Sequence, residues 1–355
     1  MQAPLYFFTF MLFLFINKET LFCQVPNDTT HESRIEVKDS DYIKGLDTLL
    51  NLKTWISANQ MEYTLVYSKD FKMVLAPNDL NSLSFGLSYR YLDLGISFTP
   101  AFLNASHKDD LKGESQRFSF RTGFSIHRFN LSFDLNSVKG FYLKNSINFR
   151  TVFPDSPYVV YPDLTVQYLS LLLRYNVNRK FSTAALAGGT QIQQRSAYTV
   201  LPSLQFATFR FFDGSNKSGV QNENTYSTDF NLLVPAIGTL VISPKFSATL
   251  GLGPSIGMDI FKSVSLDDSS KVVLSKGTAL TLGYTLQTAI NYHHGRLFAG
   301  FESQNRSYGH EIEDVSKLIK QYSYFQLFIG WRLKAPQVAK KSLDWVNKIS
   351  PVNFD

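Results

Sequence analysis

The chain has 355 residues, 44% of them hydrophobic and 15% aromatic, with only 18% charged against roughly 25% in an average soluble domain. Lys and Arg number 35 against 29 Asp and Glu, a surplus of +6 that no compact basic block concentrates, so nucleic acid is not an expected partner. The aromatic and aliphatic content argues against disorder. A single cysteine, Cys23, excludes a disulfide framework, zinc–thiolate sites and iron–sulfur clusters.

Pro4 to Ile16 is an apolar run that matches a signal-peptide core and falls short of the ~20 residues a spanning helix needs. Residues 1–23 are therefore expected to be a signal peptide cleaved between Cys23 and Gln24. Two competing readings stay open: acylation of Cys23, and retention of the run as an anchor. Residues 24–40 are polar and read as a periplasmic lead-in.

From residue 41 to 334 the pattern is alternation. Leu83, Phe85, Leu87, Tyr89 and Tyr91 oppose Ser84, Gly86, Ser88 and Arg90. Phe118, Phe120, Phe124 and Ile126 oppose Ser119, Arg121, Gly123 and Ser125, and Phe129 to Leu135 continues the rule with Asp134 on its polar face. Phe246 to Gly253, Leu280 to Tyr292 and Tyr324 to Leu333 repeat it, with Phe328 out of place on the polar side of the last. A period of two places one apolar and one small-polar face on each strand. The runs approach the 9–11 residues that cross a bilayer at a tilt.

Tight turns are expected near Leu92-Asp93, His127-Arg128, Asn178-Arg179-Lys180, Pro244-Lys245 and His294-Gly295-Arg296. Long polar links are expected at 104–114, 213–225, 262–276 and 305–319. Short turns on one side and long loops on the other are the asymmetry of outer-membrane barrels. Fourteen candidate strands can be counted, but the short/long alternation slips between 179 and 226. Either Phe181–Gln191 and Leu204–Phe212 are misread as strands, or 213–225 is a long periplasmic link. The segments 48–57 and 61–68 could also be one bent strand. The expectation is an all-β, antiparallel transmembrane β-barrel of about 12 strands, with 10 to 14 open, forming one domain. The tail 335–355 is expected on the periplasmic side, either as a short amphipathic helix carrying Leu343, Val346 and Ile349 beside Trp345, or loosely ordered.

Ala76 to Phe98 resembles a Bacteroidetes family of exported proteins with a domain of unknown function (DUF4421-like). The resemblance rests on Pro77-Asn78, Gly86, Tyr89-Arg90-Tyr91 and Leu94-Gly95-Ile96-Ser97, and extends from about residue 40 to 334. The family commonly carries a second glycine where this chain has Ser84 or Phe85. The resemblance implies an outer-membrane β-barrel and brings no catalytic residues with it.

His31-Glu32-Ser33 is the only His-x-Ser and lies in the lead-in. Ser125 and His127 share a face in the reverse order, without an acidic partner to orient the histidine. His293 and His294 point to opposite faces of a strand and cannot share a metal. Gly188-Gly189 and Gly251-x-Gly253 read as strand glycines, since no helix follows either. Arg90, Arg121, Asp134, Glu302 and Arg332 are the charged residues on polar faces. They are expected to face the lumen, pairing across it and stiffening the barrel, or else forming a charged ring that selects solutes. Tyr89, Tyr91, Tyr292, Tyr322 and Trp331 read as interface girdles.

The expected function is a structural or small-pore barrel of a Gram-negative outer membrane, not an enzyme, with no cofactor and with membrane lipids as its partners. A barrel enzyme acting on lipid, and a soluble periplasmic barrel binding an apolar ligand, are the alternatives. The soluble barrel would turn its apolar stripe inward, which alternation alone does not decide.

Overall fold

The computed structural model describes residues 41–66, 72–78, 80–104, 109–149, 157–214, 224–266, 272–312 and 316–349. The expected signal peptide and lead-in, and His31 with Ser33, lie outside the described residues.

Alternating segments become strands in chain order: β1 (Ile43–Gly45), β2 (Leu49–Val66), β3 (Lys72–Ala76), β4 (Leu80–Tyr89), β5 (Leu92–Phe98), β6 (Gln116–Ile126), β7 (Phe129–Leu143) and β8 (Val160–Tyr175). They continue as β9 (Gln191–Gln193), β10 (Ala197–Val200), β11 (Ser203–Asp213), β12 (Asn224–Leu233) and β13 (Ala236–Ser243). β14 (Phe246–Leu266), β15 (Val272–His294), β16 (Leu297–Ile312) and β17 (Ser316–Lys334) complete the series. Each wall strand pairs antiparallel with its neighbours through β2, β4, β5, β6, β7, β8, β11, β12, β14, β15, β16 and β17, and β17 pairs back onto β2. This is a closed ring of 12 strands, so the wall has no free edge strand to meet lipid.

Two pairs of short strands are single wall strands interrupted at a proline. β10 and β11 are separated by Leu201-Pro202, and β12 and β13 by Val234-Pro235. Register is kept across the second break, since Leu233 faces Ser255 and Ala236 faces Leu252 on β14. Pro202, Pro235 and Pro254 each offer a carbonyl to the next strand, taken by the N–H of Tyr175 (2.9 Å), Leu201 (2.9 Å) and Val234 (3.1 Å). A proline cannot donate, so this row keeps only the accepting half of its bonds and the wall bends there.

The 14-strand tally resolves in two places. The early pair is one 18-residue strand, β2. Phe181–Gln191 is not a strand of the wall, and Asn178-Arg179-Lys180 is not a hairpin turn; Leu204–Phe212 is a wall strand. The turn expected at Leu92-Asp93 falls two residues earlier, at Arg90-Tyr91, matching the His127-Arg128 turn in having a left-handed first residue (φ 51° in both).

The apolar stripe faces outward. On β15, Leu282 is 59% exposed and its neighbour Thr281 2%. Outward residues from Leu280 to Ile290 are mainly apolar and bounded by outward Lys276, Thr278 and His294. That stretch of tilted strand spans about 25 Å, the height of a membrane belt. A soluble barrel with this stripe inside is therefore not the architecture. Trp331 and Tyr292 lie on the outward face, whereas Tyr89 and Tyr91 are buried near a turn and Tyr322 points into the lumen. Those three do not form a lipid girdle.

The Pro77-Asn78 pair works at a corner. β3 bridges the end of β2 to the end of β7, above the shorter β4, β5 and β6. Asn78 seals the space beneath, its N–H donating to Ser115 Oγ (2.9 Å) and its Nδ2 to the Gly113 carbonyl (3.1 Å). Ser115 in turn donates to the carbonyl of Gly140 (2.8 Å), whose φ of 86° sits at a bulge in β7. Gly86 has a packing reason, because a Cβ there would come within 2.7 Å of the Trp55 ring. At the chain's end Gln337–Ile349 forms the amphipathic helix.

Candidate functional site: the closed lumen

Inward positions of the wall carry small, polar and charged residues, and described side chains and one inward segment obstruct the lumen at both ends, with an open cavity of about 1060 Å³ beside that segment. At the long-loop end, Met61, Tyr63, Val138, Phe141 and Val166 form a buried cluster, with Leu75, Phe211 and Tyr322 packed against it. Tyr63 meets Phe211 edge-on at 4.6 Å, and Tyr322 stacks on Tyr168 at 5.7 Å. The Tyr63 and Tyr322 hydroxyls lie 3.3 Å apart.

Beside this aromatic layer is a buried ionic cluster. Lys320 Nζ lies 3.0 Å from both oxygens of Asp229 and 3.3 Å from Asp259 Oδ2. It also donates to Ser227 Oγ (2.8 Å) and sits 4.1 Å above the Phe209 ring. All three ionised side chains are buried, so the cation and its two carboxylates depend on each other for the solvation that water no longer supplies.

At the short-turn end the closure is the segment 176–196, which leaves β8 and folds inward before β10. Its β9 pairs with β1. Asn51 Nδ2 donates to the Gly189 carbonyl (2.9 Å) and Lys53 Nζ to that of Ala187 (3.2 Å). Gly188, at φ 74°, lies under Phe298 and Phe328, where a Cβ would meet ring atoms at 2.6 and 3.0 Å. The inward Phe328 that broke the alternation is thus half of an aromatic seat for this segment, and the Gly188-Gly189 pair belongs to the plug rather than to a strand.

Between the closures lie two adjoining polar chambers of about 150 and about 200 Å³. Both are bounded by Trp55, Arg121, Asp134, Gln304, Arg306 and Tyr324.

The expected charged residues fall into four settings. Arg121 and Asp134 are register partners on β6 and β7 and form an ion pair that faces the chambers. Glu302 is buried and accepts from Gln287 (3.1 Å), Tyr324 (3.0 Å) and Gln326 (2.6 Å). Arg332 is buried near the plug, with its Nη2 2.8 Å from His293 Nδ1 and its guanidinium 4.6 Å from the Phe298 ring. Arg90 is not part of the strand wall; it occupies the β4–β5 turn and pairs with Asp344 of the C-terminal helix at 2.7 Å.

Ser125 accepts from Asn130 Nδ2 (2.8 Å), while His127 is exposed in its turn. His293 is inward and His294 outward, as adjacent strand residues must be. The lumen groups that the sequence reading missed are Arg174, Arg306, Lys320, Asp229 and Asp259. Each lies on the inward parity of its strand, so extending the alternation to the true strand ends would have found them.

The model of the family described as "Domain of unknown function (DUF4421)" matches residues 37–333. No curated protein matches the chain in sequence. Among solved structures, the chain is similar to the outer membrane protease OmpT from Escherichia coli, at 8% identity and TM-score 0.37, over 82% of this chain and 98% of that one. It is similar to the β-domain of the Bordetella autotransporter BrkA, at 9% identity and TM-score 0.40, over 80% and 99%. It is also similar to the Pseudomonas putida toluene transporter TodX, at 8% identity and TM-score 0.28, over 81% and 90%.

Proposed function

This chain belongs to the DUF4421 family, and we propose that it serves as a closed, non-catalytic β-barrel of a Gram-negative outer membrane, structural in role or a small pore held shut. The observation that carries the reading is the double closure of the lumen, by wall aromatics at one end and by segment 176–196 at the other. Side chains that fill a narrow barrel leave no continuous column of water for ions. The outward apolar belt supports membrane lipid as the barrel's surroundings. On this reading the short turns and the C-terminal helix are periplasmic, the long loops face outward, and a signal in 1–23 directs export.

The test is conductance of the purified full chain in planar bilayers. Small or absent steady current is expected, and large, stable, porin-sized steps would overturn the closed-lumen reading. Cell fractionation checks location: the mature chain should start at Gln24 and travel with the outer membrane. Intact mass showing 1–23 retained, or an acylated Cys23, would count against cleaved export.

A further inference from the structure

The two chambers are more basic than their walls neutralise. Their linings carry six basic side chains against three acidic ones. Of the acids, Asp134 is matched to Arg121, Asp93 accepts from Ser88 Oγ (2.8 Å), and Glu302 is surrounded by the neutral donors of Gln287, Tyr324 and Gln326. Of the other bases, Arg90 pairs with Asp344 and Lys53 donates to the Ala187 carbonyl, while Arg174 on β8 and Arg306 on β16 reach the same space from separate parts of the ring. Neither forms an ion pair with a described residue. Arg174 donates to Asn130 Oδ1 at 2.9 Å, Arg306 meets the Tyr308 hydroxyl, and the buried Nε of Arg306 has no hydrogen-bond partner.

Two guanidiniums lining one confined space repel each other, and a partly desolvated cation without a counter-charge is unfavourable. The same barrel shows how it treats a buried cation that needs no visitor: Lys320 has two carboxylates of its own. Arginine's planar fork of donors matches the oxygens of a carboxylate or phosphate. We propose that the chamber between Arg174 and Arg306 binds a small free oxyanion, of the carboxylate or phosphate class. A space of about 200 Å³ admits a few heavy atoms with water. A headgroup still attached to its acyl chains is excluded on the closed-lumen reading, and only this size limit rests on that reading.

The experiment refolds the full chain into detergent micelles in chloride alone, or with inorganic phosphate or acetate at matched ionic strength. Phosphate is expected to raise the thermal unfolding midpoint by about 2–4 °C, and acetate by less. Arg174→Gln and Arg306→Gln should each lose the shift, while Lys341→Gln, on the exposed C-terminal helix, should keep it. Equilibrium dialysis of radiolabelled phosphate against the wild-type barrel covers the case in which an arginine variant fails to refold; stoichiometric retention is expected. No phosphate-dependent shift, no retained label, a shift kept by both arginine variants, or one lost equally in Lys341→Gln would overturn the proposal. A barrel that conducts yet keeps the arginine-dependent shift would break the closed-lumen reading and leave this one standing.

Discussion

At the long-loop end the lumen is shut by side chains of the wall itself, among them Tyr63, Phe141 and Tyr322, whereas at the short-turn end it is shut by a segment that leaves the wall and returns to it. The first closure shares its residues with the strands, and the Lys320 cluster beside it bridges β12, β14 and β17. Opening it means repacking the barrel. The second is held by contacts between a separate segment and the wall: Asn51 and Lys53 bond its carbonyls, Gly188 sits under two rings, Phe181 packs on Leu201 and Ile237, Asn178 bonds Thr199 and Tyr198, and β9 pairs with β1. A plug so attached can be displaced while the wall stays intact. Two closures of one lumen therefore differ in mechanical standing, and substitutions can tell them apart.

The largest effect is expected at the wall-built end. Lys320→Met removes the cation from Asp229 and Asp259 and should cost about 3–5 kcal/mol, read as a lower urea midpoint for the refolded barrel. Adding Asp229→Asn and Asp259→Asn to the same variant should recover much of that loss. If the single variant is neutral, the cluster does not hold this end.

Gly188→Val tests the other end. It places a Cβ against Phe298 in a left-handed backbone and should cost about 1–3 kcal/mol. The strain falls on the plug, so proteolysis within 176–196 should accelerate while the heat-modifiable gel shift of the barrel persists. Loss of the gel shift would mean that plug and wall fold as one unit.

Asn51→Ala removes one bond to the plug and should cost about 1 kcal/mol. Proteolysis of 176–196 should quicken several-fold, with no change in the urea midpoint of the wall. A lowered midpoint would erase the distinction between the two closures.

The smallest energetic effect belongs to the wall alone. Exposed Leu282→Cys should change stability by about 0.5 kcal/mol and Thr281→Cys, which loses the bond to Asn231 Oδ1 (2.8 Å), by about 1 kcal/mol, with the only native thiol, Cys23, removed with the signal or by Cys23→Ala. A fluorophore at Leu282 should be quenched by brominated acyl chains and one at Thr281 should not. Equal quenching at both would contradict the orientation of β15.

What was readable without the structure was whatever repeats every second residue. Alternation through Leu280–Tyr292 identified a strand, and the long-loop asymmetry identified the barrel class. Removing one false strand and merging β2 brought the count to 12. The wall is legible because lipid and lumen impose the same two environments on every strand, so each residue reports its side locally. Arg121, Asp134, Glu302 and Arg332 were found by the same parity, and Lys320 and Asp259 were missed because the runs were ended too early.

The plug was not legible, for a physical reason. Phe181 to Gln191 carries enough apolar residues to pass for a strand, but it packs on Leu201 and Ile237 and, more than a hundred residues away, meets Asn51, Lys53, Phe298 and Phe328. No local period encodes contacts of that range. Alternation alone does not give the sign of the stripe, since a soluble barrel and a membrane barrel share it; strand length, missing cysteines and loop asymmetry favour lipid outside, and the closed ring puts Leu282 outside and Thr281 within. Which charges find partners was likewise a matter of tertiary distance. Arg121 meets Asp134 across one ladder rung, while Arg174 and Arg306 meet no carboxylate among the described residues. Strand parity follows from the sequence alone because it is local; closure, plugging and charge pairing follow from which strands the ring brings face to face.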